Sequence, residues 1–307
     1  MKLVKDRKTL IVGYGQDGIV LKEQILKNNK KIYVITRTIL KKKEKNVSFK
    51  KLDIKNKKEV FKYLKKFNNL NIYFFATHNI SSTGKENSEV FIKNLETNVI
   101  ALVNFLEFIT KNKKKKFRFF YASSSHIFEK SPILKQNENT TPSFVSYYAL
   151  TKFLGLEICQ YYREVKKIFC SVGILYTHAS KHIKKNFLIK ELSTKINKSK
   201  NRVVYVKNIN SKIDIMTSDD AVLAMRKIIN LKKPDTFIIS SGKLLTIKKI
   251  FNEIVKYKKI KKKLKIKSLN TKKYNTTPLF GDNSKLRKTT SWSVSSNLKD
   301  TIKKVLN

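Results

Sequence analysis

The chain has 307 residues, 41% of them hydrophobic, enough for one large domain or two unequal lobes around a shared core. No apolar run reaches the roughly 20 residues of a membrane span, Leu10-Ile11-Val12 is too short for a signal peptide, and Cys159 and Cys170 have neither disulfide-framework nor metal-ligand spacing, so a cytoplasmic protein without a metal site is expected. The formal charge of +46 reads either as nucleic-acid or anionic-membrane binding or as a lysine-biased composition; only seven of the 68 basic residues are arginine and lysine is spread over nearly every segment, which favours the second, with no specific nucleic acid as partner.

In chain order, four short runs rich in β-branched or aromatic residues, Thr9–Val12, Lys31–Ile35, Ile72–Ala76 and Phe117–Ala122, read as buried strands of a parallel sheet. Between and after them, Ile19–Asn28, Lys57–Phe67, Phe91–Lys111 and Tyr147–Val165 have helical spacing, and Phe169–Leu175 reads as a further strand. This alternation predicts right-handed βαβ units and an α/β, Rossmann-type doubly wound parallel sheet. After Tyr176 the alternation breaks. A polar, basic stretch at Ser180–Lys185 precedes a helix near Asn186–Asn197 and a short strand near Val203–Val206. Ser218–Leu231 reads as a helix with Ser218 as its N-cap and acids in its first turn, followed by a strand at Thr236–Ser240 and helices at Ile247–Tyr257 and Leu298–Leu306. The lysine runs Lys113–Lys116 and Lys258–Lys267 read as solvated helix ends or loops.

The first strand runs straight into Gly13-Tyr14-Gly15-Gln16-Asp17-Gly18 and then a helix. Glycines at this spacing allow a tight turn and close approach of backbone N–H groups to a pyrophosphate at a helix N-terminus, the pattern of a dinucleotide site. The alternative is a glycine turn with packing duty only. The second strand ends in Ile35-Thr36-Arg37, with a base where NAD sites typically carry an acid for the ribose 2′-OH; a guanidinium suits the 2′-phosphate of NADP, so NADP is expected, with NAD possible. Asp53, beside Ile54, reads either as an adenine contact or as a helix N-cap, and Phe75-Ala76-Thr77 at the end of the third strand complete the expected cofactor contacts.

Tyr148 and Lys152 stand at i, i+4, hence on one helical face. An ammonium beside a phenol lowers its pKa, so the phenol can take or return the proton of an alcohol while hydride moves to a nicotinamide; the lysine can also hold the nicotinamide ribose. Ser123-Ser124-Ser125 follows a predicted strand, at the sheet end where such folds bind ligands, and Ser124 can polarise the same substrate oxygen with Ser125 beside it.

At these residues the chain resembles the extended short-chain dehydrogenases/reductases, and within them the GDP-mannose 4,6-dehydratase family. The resemblance covers almost the whole chain through Gly15–Gly18, Ser146–Lys152, Tyr161–Glu164, Gly173–His178, Gly281–Lys285 and Trp292. It implies that His178 lies against the cofactor, that Ser124 replaces an active-site threonine, and that the reaction is C4 oxidation with NADP, loss of water across C5–C6 and return of the hydride to C6. Three departures stand out. His126 occupies the place of the glutamate that removes the C5 proton, and reads either as a substitute base or as a histidine without a chemical task, with Glu129 a further substitute. Thr177 and Ala179 flank His178 in place of Asn and Glu, and Ile213 stands in place of a nucleotide-holding arginine. Lys190, Thr177 and the two serines are the expected substrate contacts, with Lys181 and Lys184 as further diphosphate candidates.

Together these readings predict a Rossmann-type cofactor domain over 1–175 and 209–242 and a smaller C-terminal α/β substrate lobe over 176–208 and 243–307. The expected function is that of an NADP-dependent nucleotide-sugar-modifying enzyme, acting as a 4,6-dehydratase and forming a homo-oligomer. The alternatives are a C4 epimerase or 4-keto reductase on the same fold, or a non-catalytic dinucleotide-binding protein.

Overall fold

The computed structural model describes residues 7–28, 30–38, 44–78, 86–199, 202–261, 264–269 and 277–307; the first six residues, and Lys262 and Lys263 of the second lysine run, lie outside them. The first half alternates β1 (Lys8–Val12), α1 (Gln16–Leu26), β2 (Ile32–Thr36), β3 (Val47–Lys51), α2 (Lys57–Leu64), β4 (Asn69–Phe74), α3 (Ser88–Leu95), α4 (Ala101–Lys111), β5 (Lys116–Ser124), α5 (Tyr147–Glu164) and β6 (Cys170–Leu175). The second half adds β7 (Thr177–Ala179), α6 (Leu188–Lys198), β8 (Val203–Val206), β9 (Lys212–Thr217), α7 (Ser218–Ile229), β10 (Thr236–Ile239), β11 (Leu244–Thr246), α8 (Ile247–Tyr257), β12 (Lys265–Ser268), α9 (Ser284–Thr290) and α10 (Leu298–Leu306).

Seven strands form one parallel sheet in the order β10-β6-β5-β4-β1-β2-β3. The order reverses between β1 and β4, so the crevice at the C-terminal ends of these strands is the ligand site that a doubly wound sheet offers. Alternation along the strands sends neighbours to opposite faces. Leu10 and Val12, Ile72 and Phe74, and Phe119 and Tyr121 point to a core covered by α2, α4 and α5. Ile11, Tyr73, Phe120 and Ala122 point to the other core, covered by α1 and α7, with Leu286 of α9 and Trp292 closing it. A third cluster holds α6, α8 and α10 together through Ile189, Leu192, Ile250, Ile254, Ile302 and Val305. It is flanked by the two-stranded β12-β8 and three-stranded β11-β9-β7 sheets.

Several boundaries differ from expectation. The strand expected over Ile72–Ala76 is β4, which begins at Asn69 and ends at Phe74, where the N–H groups of Phe75 and Ala76 converge on the Val12 carbonyl, each at 2.8 Å. The long helix expected over 91–111 is α3 and α4 joined by a π-helical turn over Glu96–Ile100. Thr217, not Ser218, caps α7, accepting from the Asp220 N–H at 3.2 Å, and Asn56, not Asp53, caps α2. Asp53 instead closes a local turn, accepting from Lys55 N at 3.0 Å. The edge strand β3, the short β7, β11 and β12, and β9 are additions; the first four have few buried residues or few residues at all, and β9 carries the buried Asp214 in its middle, which interrupts its apolar run.

Candidate active site

The loop between β1 and α1 is shaped by close backbone packing. Gly13 adopts φ +97°, and a Cβ there would stand 2.5 Å from the Ala76 nitrogen. A Cβ on Gly18 would stand 2.5 Å from the Gly13 carbonyl oxygen, whereas one on Gly15 would meet nothing within 4 Å. Gly15 is the N-cap of α1 and supplies no side-chain cap, so the first N–H groups of that helix have no capping side chain as acceptor. The one acid in that first turn, Asp17, is turned away to His178, with Oδ1 and Nε2 2.9 Å apart.

That pair joins the phosphate loop to β7. His178 Nδ1 lies 2.7 Å from the Tyr176 carbonyl oxygen, so both ring nitrogens face acceptors, an arrangement that favours the doubly protonated ring. Burial would push the imidazole down, yet the Asp17 carboxylate outweighs it and holds His178 above its ordinary value. In turn burial would raise Asp17, and the imidazolium brings it below its ordinary value. Gln16 reinforces the joint, donating to the His178 carbonyl at 3.3 Å and accepting from the Ser180 N–H at 3.0 Å.

Tyr148 and Lys152 project from the first turns of α5, which Ser146 caps by accepting from Ala149 N at 3.2 Å. The Lys152 side chain is 3% exposed and its Nζ donates to the Ala122 carbonyl at 2.8 Å, 5.8 Å from the centre of the Tyr148 ring. Burial pulls this ammonium down to about 7 against the attraction of Asp17. Burial likewise pushes the Tyr148 phenol up to about 12, while a hydrogen bond with the Ser124 hydroxyl works in the other direction. Burial thus perturbs the two groups in opposite directions, and in both it favours the uncharged form. Ser124 ends β5 and accepts from the His126 N–H at 3.3 Å; Ser123 is fixed by a bond to the Lys152 carbonyl at 3.2 Å, and Ser125 is buried at the start of the 3₁₀ turn Ser125–Phe128. The His126 ring stands edge-on to Tyr148, centroids 5.8 Å apart.

Tyr148, Lys152, Ser124, His126, Asp17 and His178 thus come together, although the last two are 161 residues apart. Phe75 and Ala76 pack on the glycine loop, and Thr77 donates to Asn98 at 3.0 Å. Arg37 is exposed just beyond β2. Its charge is felt at His78, which burial pulls below its ordinary value, helped by Lys93, Arg37 and Lys184. Ile54 is half-buried against α4, where its carbonyl accepts from Asn104 at 3.1 Å. Thr177 lies on β7 in register with Ile215. Lys190 donates to the Ile183 carbonyl at 2.8 Å and holds its own loop, with no bond to the Tyr148 cluster among the described residues. Sequence reasoning missed Asn98, which is fully buried in the π-helical turn and bonds Thr77 Oγ1, His78 N and Thr151 Oγ1 at 2.9–3.0 Å. The signal was there: Asn94 and Asn98 stand at i, i+4 within an apolar helix, where asparagine is disfavoured without a partner.

Among the described residues no group of three metal-ligating side chains is found, and no helix is long and apolar enough to cross a membrane.

The model of the GDP-mannose 4,6 dehydratase family matches residues 10–305. A GDP-mannose 4,6 dehydratase of Drosophila melanogaster is 24% identical over 273 residues, covering 82% of this chain and 68% of that protein. GDP-mannose 4,6 dehydratase 2 of Caenorhabditis elegans is 30% identical over 141 residues, 45% of this chain and only 37% of its own length. Among solved structures, a UDP-glucuronic acid 4-epimerase from Bacillus cereus, in complex with UDP-glucuronic acid and NAD, superposes with a TM-score of 0.82 at 18% identity, covering 97% of each chain. A dTDP-glucose 4,6-dehydratase from Bacillus anthracis, in complex with NAD, gives 0.80 at 16% identity over 97% of this chain and 96% of that one. At such identities these two likenesses establish the fold. With the family model spanning nearly the whole chain, the protein belongs to the GDP-mannose 4,6 dehydratase family.

Proposed function

We propose that the protein is an NADP-dependent nucleotide-sugar 4,6-dehydratase that oxidises the sugar at C4 and then eliminates water. The observation that carries this reading is the buried constellation of Tyr148, Ser124 and Lys152 at the end of β5, beside a glycine loop that opens α1. A nicotinamide dinucleotide, when bound, supplies the hydride acceptor for the alcohol. The residues fit such a group: Gly15 leaves room against α1's uncapped N–H groups, and Arg37 lies past the end of β2 with no acid beside it. Residues 1–175 and 209–242 would hold it, and 176–208 with 243–307 would hold the sugar nucleotide.

Tyr148, a protonated phenol at rest, hydrogen-bonds the C4 oxygen together with Ser124. Burial keeps the phenol on its proton at rest, contrary to the lowering expected from an adjacent ammonium, so Tyr148 passes the alcohol proton outward only as C4 is oxidised, with Lys152 Nζ 5.8 Å from its ring. Lys152 is the only one of these groups poised to change charge near neutrality.

Incubation of purified protein with GDP-mannose and a panel of UDP-, dTDP- and CDP-sugars, followed by mass spectrometry, tests the reading. A product lighter by one water is expected. An unchanged mass with altered stereochemistry would instead establish the C4 epimerase, which histidine rather than glutamate at position 126 favours. No product from any sugar despite bound cofactor would leave a keto reductase or a non-catalytic relative. The preference for NADP is expected to rest on Arg37: Arg37→Ala should raise the KM for NADP at least about tenfold while leaving that for NAD within about twofold, since a charge-assisted hydrogen bond is worth roughly 1.5–3 kcal/mol. Equal effects on both would assign the 2′-phosphate elsewhere. Two free, buried cysteines are consistent with a cytoplasmic setting, and the exposed apolar Ile92, Ile100, Tyr161 and Val165 on α3, α5 and adjoining turns are consistent with self-association.

A further inference from the structure

We propose that His126 and Glu129 form a proton-transfer dyad beside Tyr148, in which the Glu129 carboxylate orients the imidazole and His126 removes the C5 proton of the C4-oxidised sugar. The proposal rests on the function proposed above and assigns its elimination step. Three features carry it.

The first is placement. His126 follows β5 directly, and its N–H donates to Ser124 Oγ at 3.3 Å, so its backbone is anchored on the serine at the end of that strand. Its ring stands at 79° to the Tyr148 ring, centroids 5.8 Å apart, and half of its side chain is exposed. The second is the bond between His126 Nδ1 and Glu129 Oε1. A carboxylate only accepts, so Nδ1 carries the hydrogen, and in the neutral ring the free electron pair is then on Nε2. Among the described residues Nε2 has no hydrogen-bond partner. The third is the setting of Glu129. Its side chain is 22% exposed, its Oε2 is covered and unpartnered among the described residues, and its charge adds to the burial that raises the Tyr148 phenol. A covered carboxylate on the inner nitrogen of a half-exposed imidazole fixes both tautomer and ring orientation.

A C4 ketone makes the adjacent C5–H acidic. Nε2 takes the C5 proton, and the C–H electron pair moves into a C4–C5 enolate whose oxygen is held by the Tyr148 and Ser124 hydroxyls. That pair then forms the C5–C6 double bond as the C6–O bond breaks, and the hydroxide leaves as water with the proton from Nε2. Atoms and charge balance, and His126 returns to its neutral form. His126 is the catalytic residue of this step and Glu129 its positioning residue.

The test uses the whole chain and GDP-4-keto-6-deoxymannose in D₂O, following C5–H exchange by proton NMR, a reading that needs no hydride transfer. Wild type is expected to exchange C5–H. His126→Asn should slow exchange at least about 100-fold, the usual range for losing a general base, and Glu129→Gln should slow it about 10-fold or more. His126→Glu should restore exchange, and adding Glu129→Gln to it should cost nothing further, because a carboxylate base needs no tautomer set. Nitrogen-15 NMR of the four histidines should show one ring held as the Nδ1–H tautomer in wild type and released in Glu129→Gln. Exchange at the wild-type rate in His126→Asn, or in Glu129→Gln with an unchanged tautomer, would overturn the dyad. If wild type transfers hydride from GDP-mannose yet the variants still exchange C5–H normally, the dyad alone fails; if wild type does neither, the dehydratase reading fails and the dyad with it.

Discussion

Gly13 can carry no side chain. At φ +97° and with the Ala76 nitrogen 2.5 Å from a would-be Cβ, Gly13→Ala should destabilise the fold by roughly 2–3 kcal/mol, read by chemical denaturation, combining left-handed strain with backbone displacement. A change under about 0.5 kcal/mol would mean that the β1–β4 approach yields easily. The spacing of the glycines was visible in the sequence; that Gly13 serves packing against β4's end while Gly15 leaves room for a ligand was not, because that depends on which strand the loop lies against. The Asp17–His178 pair has a pH signature. His178, raised above about 6.5, contributes stability that is complete below that value and is lost as pH rises through its folded pKa; Asp17, lowered, contributes stability present above about 3.8 and lost as pH falls through its folded value. His178→Gln keeps a hydrogen-bonding side chain without the charge, so wild type should lose Tm relative to this variant between pH 6 and pH 9. Parallel Tm curves would show that the pair does not titrate with folding. Tyr148, Lys152 and Ser124 were legible because one helical turn and one strand end bring them together; the partners Asp17 and His178 lie on helix α1 and strand β7, 161 residues apart, which no local pattern encodes.

The segment after α9 behaves as a clasp on α7. Trp292 is 1% exposed and its Nε1 donates to the Asp220 carbonyl at 3.0 Å. Meanwhile the Asp220 carboxylate accepts from Ser295 N–H at 3.2 Å and from Thr217 Oγ1 at 2.8 Å, and also pairs with the Ser295 and Ser296 hydroxyls. Burial would raise this carboxylate, but the hydrogen bonds from Ser295, Ser296 and Thr217 hold it below its ordinary value. Trp292→Ala should cost about 3–5 kcal/mol, the range for emptying a large aromatic site, and should loosen α9 and α10 together in hydrogen exchange. Exchange confined to the residues next to position 292 would separate the tail from α7. At this scale the sequence was most readable where an element buries a regular stripe. β8, α8 and α10 lie at the residues expected, since Ile250, Ile254, Ile302 and Val305 recur at helical spacing. It was least readable over Glu96–Ile100, where Asn98 bonds across to Thr77 and Thr151 and the helix widens by a residue, a tertiary demand that overrides local propensity.

Across the molecule, 68 basic residues face 22 acidic ones, and each helix from α1 to α10 carries lysine. Self-repulsion of this magnitude is long-ranged and screened by salt, the Debye length falling from about 10 Å at 0.1 M to about 3 Å at 1 M. Tm is therefore expected to rise by several degrees over that range of NaCl. A flat or falling Tm would show that local ion pairs dominate. The sheet order, with its reversal between β1 and β4, follows from the strand–helix alternation read in the sequence, and it sets the glycine loop and the end of β5 on one edge of the molecule. The central claim, that this edge performs hydride transfer under the control of Tyr148, is tested most directly by mixing the protein with NADP and GDP-mannose in a single turnover and following reduced dinucleotide at 340 nm. Wild type should give a transient rise, and Tyr148→Phe should slow it at least about 100-fold, with dinucleotide affinity within about threefold. An undiminished rise in Tyr148→Phe would contradict the account.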